Sequence, residues 1–313
     1  MKTIVAFFRL ARWSNLLFIV LTQWMFIYCI VAPIFQAANV QPHIHGQFIF
    51  LLILSYVLVG AGGYIINDYF DLNIDQINKP DKVVIDRYIG RRWAIVFHIC
   101  FTVASILIGI YVDLQTHVHF LGFANLVNGI FLFVYSLSLK KKLLVGNVMI
   151  AFLLAWVIVA VTCCEADQFT LLLQHRLVNT QKLLRYTILY GGFAFIVNLI
   201  REAVKDMEDV EGDRKYGCRT MPIAWGINAT KVFVAVWLVV LIAMLVLLQF
   251  YAIQFGWWFF SLYCILVVVV PLVIVFKKLF KAQTPKDYHA ISSLIKIVML
   301  TGILSMVFFK IYS

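Results

Sequence analysis

The chain has 313 residues, 63% hydrophobic and 13% charged, with a formal net charge of +11 and a mean hydropathy of +0.94. A soluble domain is roughly half apolar and about a quarter charged, so an ordinary soluble enzyme, a disordered chain and a nucleic-acid-binding domain are excluded. The composition is that of a polytopic membrane protein, long enough for about nine spans of ~20 residues each.

The opening stretch, residues 1–14, is short, basic and amphipathic, and carries no small-residue cleavage pattern, so no cleavable signal is expected. Apolar runs of spanning length follow near 15–34, 47–66, 93–112, 118–138, 146–164, 185–204, 231–251, 257–276 and 291–309. They predict an all-α protein of about nine transmembrane helices in one domain, 1–313. The six cysteines have no paired metal-ligand spacing and are read as small hydrophobes, with neither disulfide framework nor zinc site. Gly60, Gly62 and Gly63, and likewise Gly191 and Gly192, are read as places where helices approach closely.

Of the 26 Lys and Arg, 22 fall at the N-terminus or on the side of the loops after even-numbered spans. The last of those groups runs from Lys277, Lys278, Lys281 and Lys286 into the ninth span at Lys296. Arg176, Lys182, Arg185 and Lys310 are all that the other side receives. This split predicts a multi-pass protein with its N-terminus inside and its C-terminus outside.

Orientation does not explain the acids, because Asp and Glu contribute little to it. Eleven of 15 acids lie in two short stretches, residues 68–86 and 202–213, after the second and sixth spans, and eight of them fall in two motifs. The first holds Asn67-Asp68-Tyr69-Phe70-Asp71-Leu72-Asn73-Ile74-Asp75, the second Asp206-Met207-Glu208-Asp209-Val210-Glu211-Gly212-Asp213. The aspartate spacing is the same, three and then four, which on a helix puts all three on one face. Like charges so placed repel, and divalent cations relieve the repulsion. Oxygen-only ligands select a hard cation, and Mg²⁺ usually completes its shell with waters and substrate phosphate. The repeat suggests two similar halves facing one cavity, a site for a diphosphate held through Mg²⁺, with Asp68, Asp71, Asp206 and Asp209 as catalytic residues.

The paired motifs Asn-Asp-x-x-Asp-x-x-x-Asp and Asp-x-x-Asp-x-x-x-Asp resemble those of the UbiA superfamily of intramembrane prenyltransferases. The resemblance implies nine helices around a central cavity. It implies Mg²⁺ bound by Asp68, Asp71, Asp75, Asp206, Asp209 and Asp213, with Asn67 beside the first cluster. Arg12-Trp13-Ser14-Asn15 is similar to the family's Arg-x-x-Asn, which implies Asn15 at the substrate; Arg12 reads equally as a positive-inside anchor. Tyr135-Ser136 through Lys140-Lys141-Lys142 to Gly146-Asn147 resembles a further family stretch and singles out Lys140 as the lysine nearest a span. Arg201 and Lys205 precede the second motif as candidate phosphate ligands, Arg201 having Glu202 as an alternative partner.

The run from Arg201 to Asp213 resembles the geranylgeranylglycerol-phosphate geranylgeranyltransferase branch. That resemblance implies transfer from geranylgeranyl diphosphate to a prenylglycerol phosphate in the membrane, and the cation split puts the site on the cytoplasmic side, of the cytoplasmic membrane if the cell is bacterial or archaeal. The partners implied are the prenyl diphosphate donor, a lipophilic acceptor and membrane lipids, with no nucleic acid and no protein partner. One departure touches the acceptor: where relatives continue with Arg-Pro, this chain has Lys82-Val83-Val84, and a lysine is a point charge, not a fork. Prenylation of an aromatic quinone or chlorin precursor stays open, as do an ion-coupled transporter and an isoprenoid-binding membrane protein.

Overall fold

The computed structural model describes residues 2–116, 118–166 and 180–312. Its elements are α1 (Lys2–Leu10), α2 (Trp13–Ala37), α3 (Gln47–Asn78), α4 (Arg91–Thr116), α5 (Leu121–Leu137), α6 (Val145–Cys163), α7 (Thr180–Glu208), α8 (Val210–Lys215), α9 (Met221–Ala224), α10 (Ile227–Gln254), α11 (Trp258–Lys281) and α12 (Pro285–Tyr312). Long apolar runs become helices because within hydrocarbon a helix satisfies each backbone N–H and C=O inside its own segment. Among the described residues eight helices are long and apolar enough to cross a membrane. The remaining predicted span, 118–138, is the shorter α5, with 17 residues. Two helices hold a wider π turn, Ile27–Val31 in α2 and Cys264–Val269 in α11. Each lies just before a proline, Pro33 or Pro271, whose missing N–H breaks the regular ladder.

The chain divides into two compact units, one of Met1–Lys140 with Trp156–Thr187, the other of Lys141–Ala155 with Ile188–Ser313. In the first, α3 packs closely on α4 and α5. Gly62 and Gly63 permit this, since a Cβ on Gly62 would lie 3.3 Å from the His98 carbonyl and one on Gly63 2.8 Å from Leu132. The loop after α3 folds back, burying Val84, Ile85 and Ile89 against Ala6, Leu10, Ile65 and Leu72. In the second unit, α7, α10, α11 and α12 share one core that includes Ile200, Leu238, Leu272 and Ile295. Close packing at Gly192 is a correction: a Cβ there would meet nothing within 4 Å.

Three of the four acids outside the two acid-rich stretches have structural work. Asp113 accepts from the N–H groups of Leu121 and Gly122, at 2.9 and 2.8 Å, and so caps α5. Asp287 forms a capping box with Thr284 at the start of α12. Glu165, 1% exposed, accepts from the backbone N–H groups of His43 and Ile44 at 2.8 and 3.0 Å. The fourth, Asp167, lies outside the described residues. None of the six cysteines, all among the described residues, is joined in a disulfide.

Candidate functional site

In the first unit the site is built on the end of α3. At 32 residues and ~1.5 Å per residue, α3 outlasts a hydrocarbon core of ~30 Å, and the aspartate motif occupies its last turns. A helix C-terminus carries partial negative charge, so three carboxylates there are unfavourable unless cations stand beside them. Two do. Arg12 Nη2 donates to Asp68 Oδ1, and Lys140 Nζ lies 2.6 Å from Asp71 Oδ1. Lys140 also reaches Asn67 Oδ1 at 3.3 Å, while Asn67 Nδ2 donates to Asp71 Oδ2 at 2.9 Å. Asp75, half-buried, continues the stripe one turn on.

Arg12 sits where the chain breaks between α1 and α2, with φ 50° and ψ 51°. That left-handed conformation costs a non-glycine residue about 1–2 kcal/mol. The pair with Asp68 and the Tyr64 ring, 5.3 Å from the guanidinium carbon, offset the cost. The neighbouring carboxylate raises the Arg12 pKa above its ordinary value, burial opposing, so the guanidinium keeps its charge.

In the second unit the motif runs from α7 into α8. Asp206 Oδ2 accepts from Asn147 Nδ2 at 2.8 Å. The helix is interrupted at Asp209, whose φ is −99° and ψ 8°, so the predicted single helix is corrected to two. The stripe survives the break because helical bonds continue through it, from Asp209 N to Lys205 O at 2.9 Å and from Asp213 N to Asp209 O at 3.2 Å. Glu202 takes both neighbouring cations: Arg201 Nη1 at 3.1 Å and Lys205 Nζ at 2.8 Å.

The donor set fits the implied ion. Each stripe offers carboxylate oxygens alone, as a hard cation prefers. Among the described residues no three acidic, His or Cys side chains converge into a ready cage. Mg²⁺ does not ask for one, since it is usually held through one or two carboxylates with waters and substrate phosphates.

Of the residues singled out from the sequence, Asn67, Asp68, Asp71 and Lys140 are brought together in one unit, and Arg201, Lys205 and Asp206 fall close together in the other. Asn15 lies half-buried in the first turn of α2, its backbone N–H bonded to Arg12 O at 2.7 Å. Lys82 closes the short turn Pro80–Lys82; its side chain lies outside what is described. The following Val84 and Ile85 are core residues, 4% and 1% exposed, and Val83 packs partly buried against the same core. Two functional candidates escape the sequence reading. Arg12 looks like a topological anchor until the break turns it onto Asp68. Asn147 lies in the Gly146-Asn147 signal, yet only the fold brings it to Asp206, 59 residues away.

The model of the UbiA prenyltransferase family matches residues 9–300. The digeranylgeranylglyceryl phosphate synthase of Methanothermobacter thermautotrophicus is 36% identical over 198 residues, covering 61% of this chain and 62% of that protein, a little under two thirds of its length. The protein of the same name from Methanopyrus kandleri is 30% identical over 253 residues, covering 79% of this chain and 82% of the relative. Among solved structures, a UbiA homolog from Archaeoglobus fulgidus bound to DMAPP and Mg²⁺ superposes with a TM-score of 0.58 at 16% identity, covering 96% of this chain and 98% of that one.

Proposed function

The chain belongs to the UbiA prenyltransferase family, and from that premise we propose that it transfers a geranylgeranyl group from geranylgeranyl diphosphate to the free hydroxyl of a prenylglycerol phosphate within the membrane. The observation that carries the proposal is that each unit holds a carboxylate stripe with the same furnishing. In each, an asparagine amide donates to a motif aspartate, and Arg and Lys stand alongside. The shared name of the relatives supports the acceptor.

In this reading Asp68, Asp71, Asp75, Asp206, Asp209 and Asp213 hold Mg²⁺, which when bound offsets charge on the diphosphate leaving group. The allylic C–O bond breaks with its electron pair going to diphosphate. A lone pair of the acceptor hydroxyl oxygen forms the new C–O bond to the allylic carbon, and the hydroxyl proton passes to the released diphosphate. Asn67 and Asn147 keep their partner carboxylates oriented. Arg12 and Lys140 hold Asp68 and Asp71 against their mutual repulsion and stand ready to meet phosphoryl oxygens. Lys82, Arg201 and Lys205 serve phosphate, and Asn15 contacts the substrate. Both motifs face the cytoplasm, with the N-terminus inside and the C-terminus outside.

The test offers one pool of geranylgeranyl diphosphate to purified protein with both a prenylglycerol phosphate and aromatic acids present. Ether formation with Mg²⁺-dependent release of diphosphate is expected. Transfer to the aromatic ring alone overturns the acceptor assignment, and release of no diphosphate overturns the whole reading.

A further inference from the structure

The basic, amphipathic stretch that opens the chain is only partly accounted for by the contact of Arg12 with Asp68. α1 has nine residues, about 13 Å of helix, far short of the ~30 Å needed to cross hydrocarbon. Arg12, in its left-handed conformation, separates it from the spanning helix α2, so α1 sits where that span leaves the membrane. One side of α1 is packed. Ala6 and Leu10 are buried with Ile85 and Ile89 of the loop after α3, and Phe7 meets Phe97 of α4 edge-on, with ring centroids 5.3 Å apart. The other side is exposed. Ile4, Val5 and Phe8 are each more than half exposed, and Arg9 is exposed beside them. At about 100° per residue, Ile4, Phe8, Val5 and Arg9 follow one another across an arc of about 140°.

The same surface continues onto the start of α4. Trp93, more than half exposed, lies 6.0 Å from Phe97 between ring centroids and so extends the aromatic contact that Phe7 makes. Arg87, Tyr88 and Arg92 are exposed close to it in sequence. Charge is uneven here. Residues 1–14 and 79–96 hold eight cations against two acids, Asp81 and Asp86. Asp86 is taken by Arg91 at 2.8 Å. Counting Asp68, Asp71 and Asp75 of the nearby motif still leaves the cations in excess, and Asp68 and Asp71 are already paired with Arg12 and Lys140.

An apolar arc edged by arginine and flanked by Trp and Tyr is the pattern of a helix lying in the membrane interface. Its apolar side chains enter the acyl region and its cations meet headgroups. A second copy of the chain would bring the same positive surface, whereas an anionic lipid surface complements it. We propose that α1, with residues 87–93, is a docking surface for anionic lipid headgroups. The surface needs neither metal nor acceptor and so goes beyond the proposed function. It bears on the site through one residue. α1 runs through Ala11, whose N–H donates to Phe7 O at 2.9 Å, into Arg12, whose N–H donates to Arg9 O at 3.0 Å. Docking of α1 thus steadies the residue that holds Asp68.

The experiment places the whole chain in nanodiscs of phosphatidylcholine, with or without about a third phosphatidylglycerol, and follows backbone hydrogen exchange of residues 4–12. Each cation near an anionic surface is worth about a fivefold change in binding. The anionic lipid is therefore expected to slow exchange of these amides about tenfold or more. R9Q/R87Q/R92Q should lose that slowing, and salt at about 0.5 M should reduce it in the wild type by screening. I4S/V5S/F8S, which removes the apolar arc, should exchange fast in both lipids. Exchange that agrees within about twofold between the two lipids overturns the proposal, as does slowing that survives R9Q/R87Q/R92Q. Slowing confined to discs that hold two copies assigns the face to the chain itself and overturns it too. If the triple arginine variant does not fold, the wild type in salt decides, and slowing that salt leaves unchanged overturns the proposal. Because the readout needs no turnover, failure of this surface and failure of the proposed function are read separately.

Discussion

The Lys140 ammonium lies 2.6 Å from the Asp71 carboxylate, with side-chain exposures of 11% and 17%. A pair so shielded is worth more than a surface ion pair, whose contribution is commonly below about 1 kcal/mol. Breaking one side leaves the other charge stranded. Lys140 and Asp71 are therefore expected to fail together. K140M and D71N should each cut turnover about a hundredfold or more, and the double variant should cost far less than the product of the two. A double-mutant cycle on kcat/KM checks this.

Each motif is expected to be necessary. D68A, D71A, D206A and D209A should lower turnover by about two orders of magnitude or more, the scale for losing one electrostatic stabiliser of developing charge. Asp81, exposed in the turn after α3, supplies the control, and D81N should stay within about twofold. Near-normal rates in the motif variants would sink the metal-site reading.

Asp113 is expected to govern stability without touching chemistry. Removing its two backbone contacts at the start of α5 should cost about 1 kcal/mol, in the ~0.5–2 range typical of a lost helix cap. Thermal unfolding of D113A in detergent should show the loss while kcat/KM per folded molecule is unchanged.

Glu165 is expected to make stability depend on pH. Burial pushes its carboxyl above the ordinary carboxylate range, with the Ile44 and His43 N–H groups opposing. The folded protein thus holds this proton more tightly than the unfolded chain does. The stabilisation is fully present below the unfolded pKa and is lost as pH rises through the raised folded value. The difference in Tm between E165Q and wild type should therefore shift in favour of E165Q as pH increases through that window. A difference flat in pH would count against it.

The topology is open to direct labelling. Single cysteines beside Asp75 and Asp213 should react with an impermeant maleimide from the cytoplasmic side, and one at the C-terminus from the opposite side. Cys100, which is exposed, is the first native thiol to replace. Labelling of both motif positions from outside would reverse the orientation.

The sequence by itself determined the membrane class and the helices, and it singled out two acid stripes. Hydrocarbon imposes one backbone solution on a long apolar run, and carboxylates that neither topology nor composition requires stand out against such a chain. Lys140 is singled out by the resemblance of the stretch from Tyr135 to Asn147 and by lying nearest a span, although three lysines there also suit a cytoplasmic loop. What only the tertiary structure decided are matters of contact between distant segments. Arg12 became a partner of Asp68 through a single left-handed residue between α1 and α2, a conformation no periodicity signals. Asn147 reached Asp206 through helix packing, and Asp113 and Asp287 proved to be helix caps because their oxygens face backbone N–H groups. The register of α7 on α12 is set by packing such as Phe193 against Gly302 and not by any local pattern.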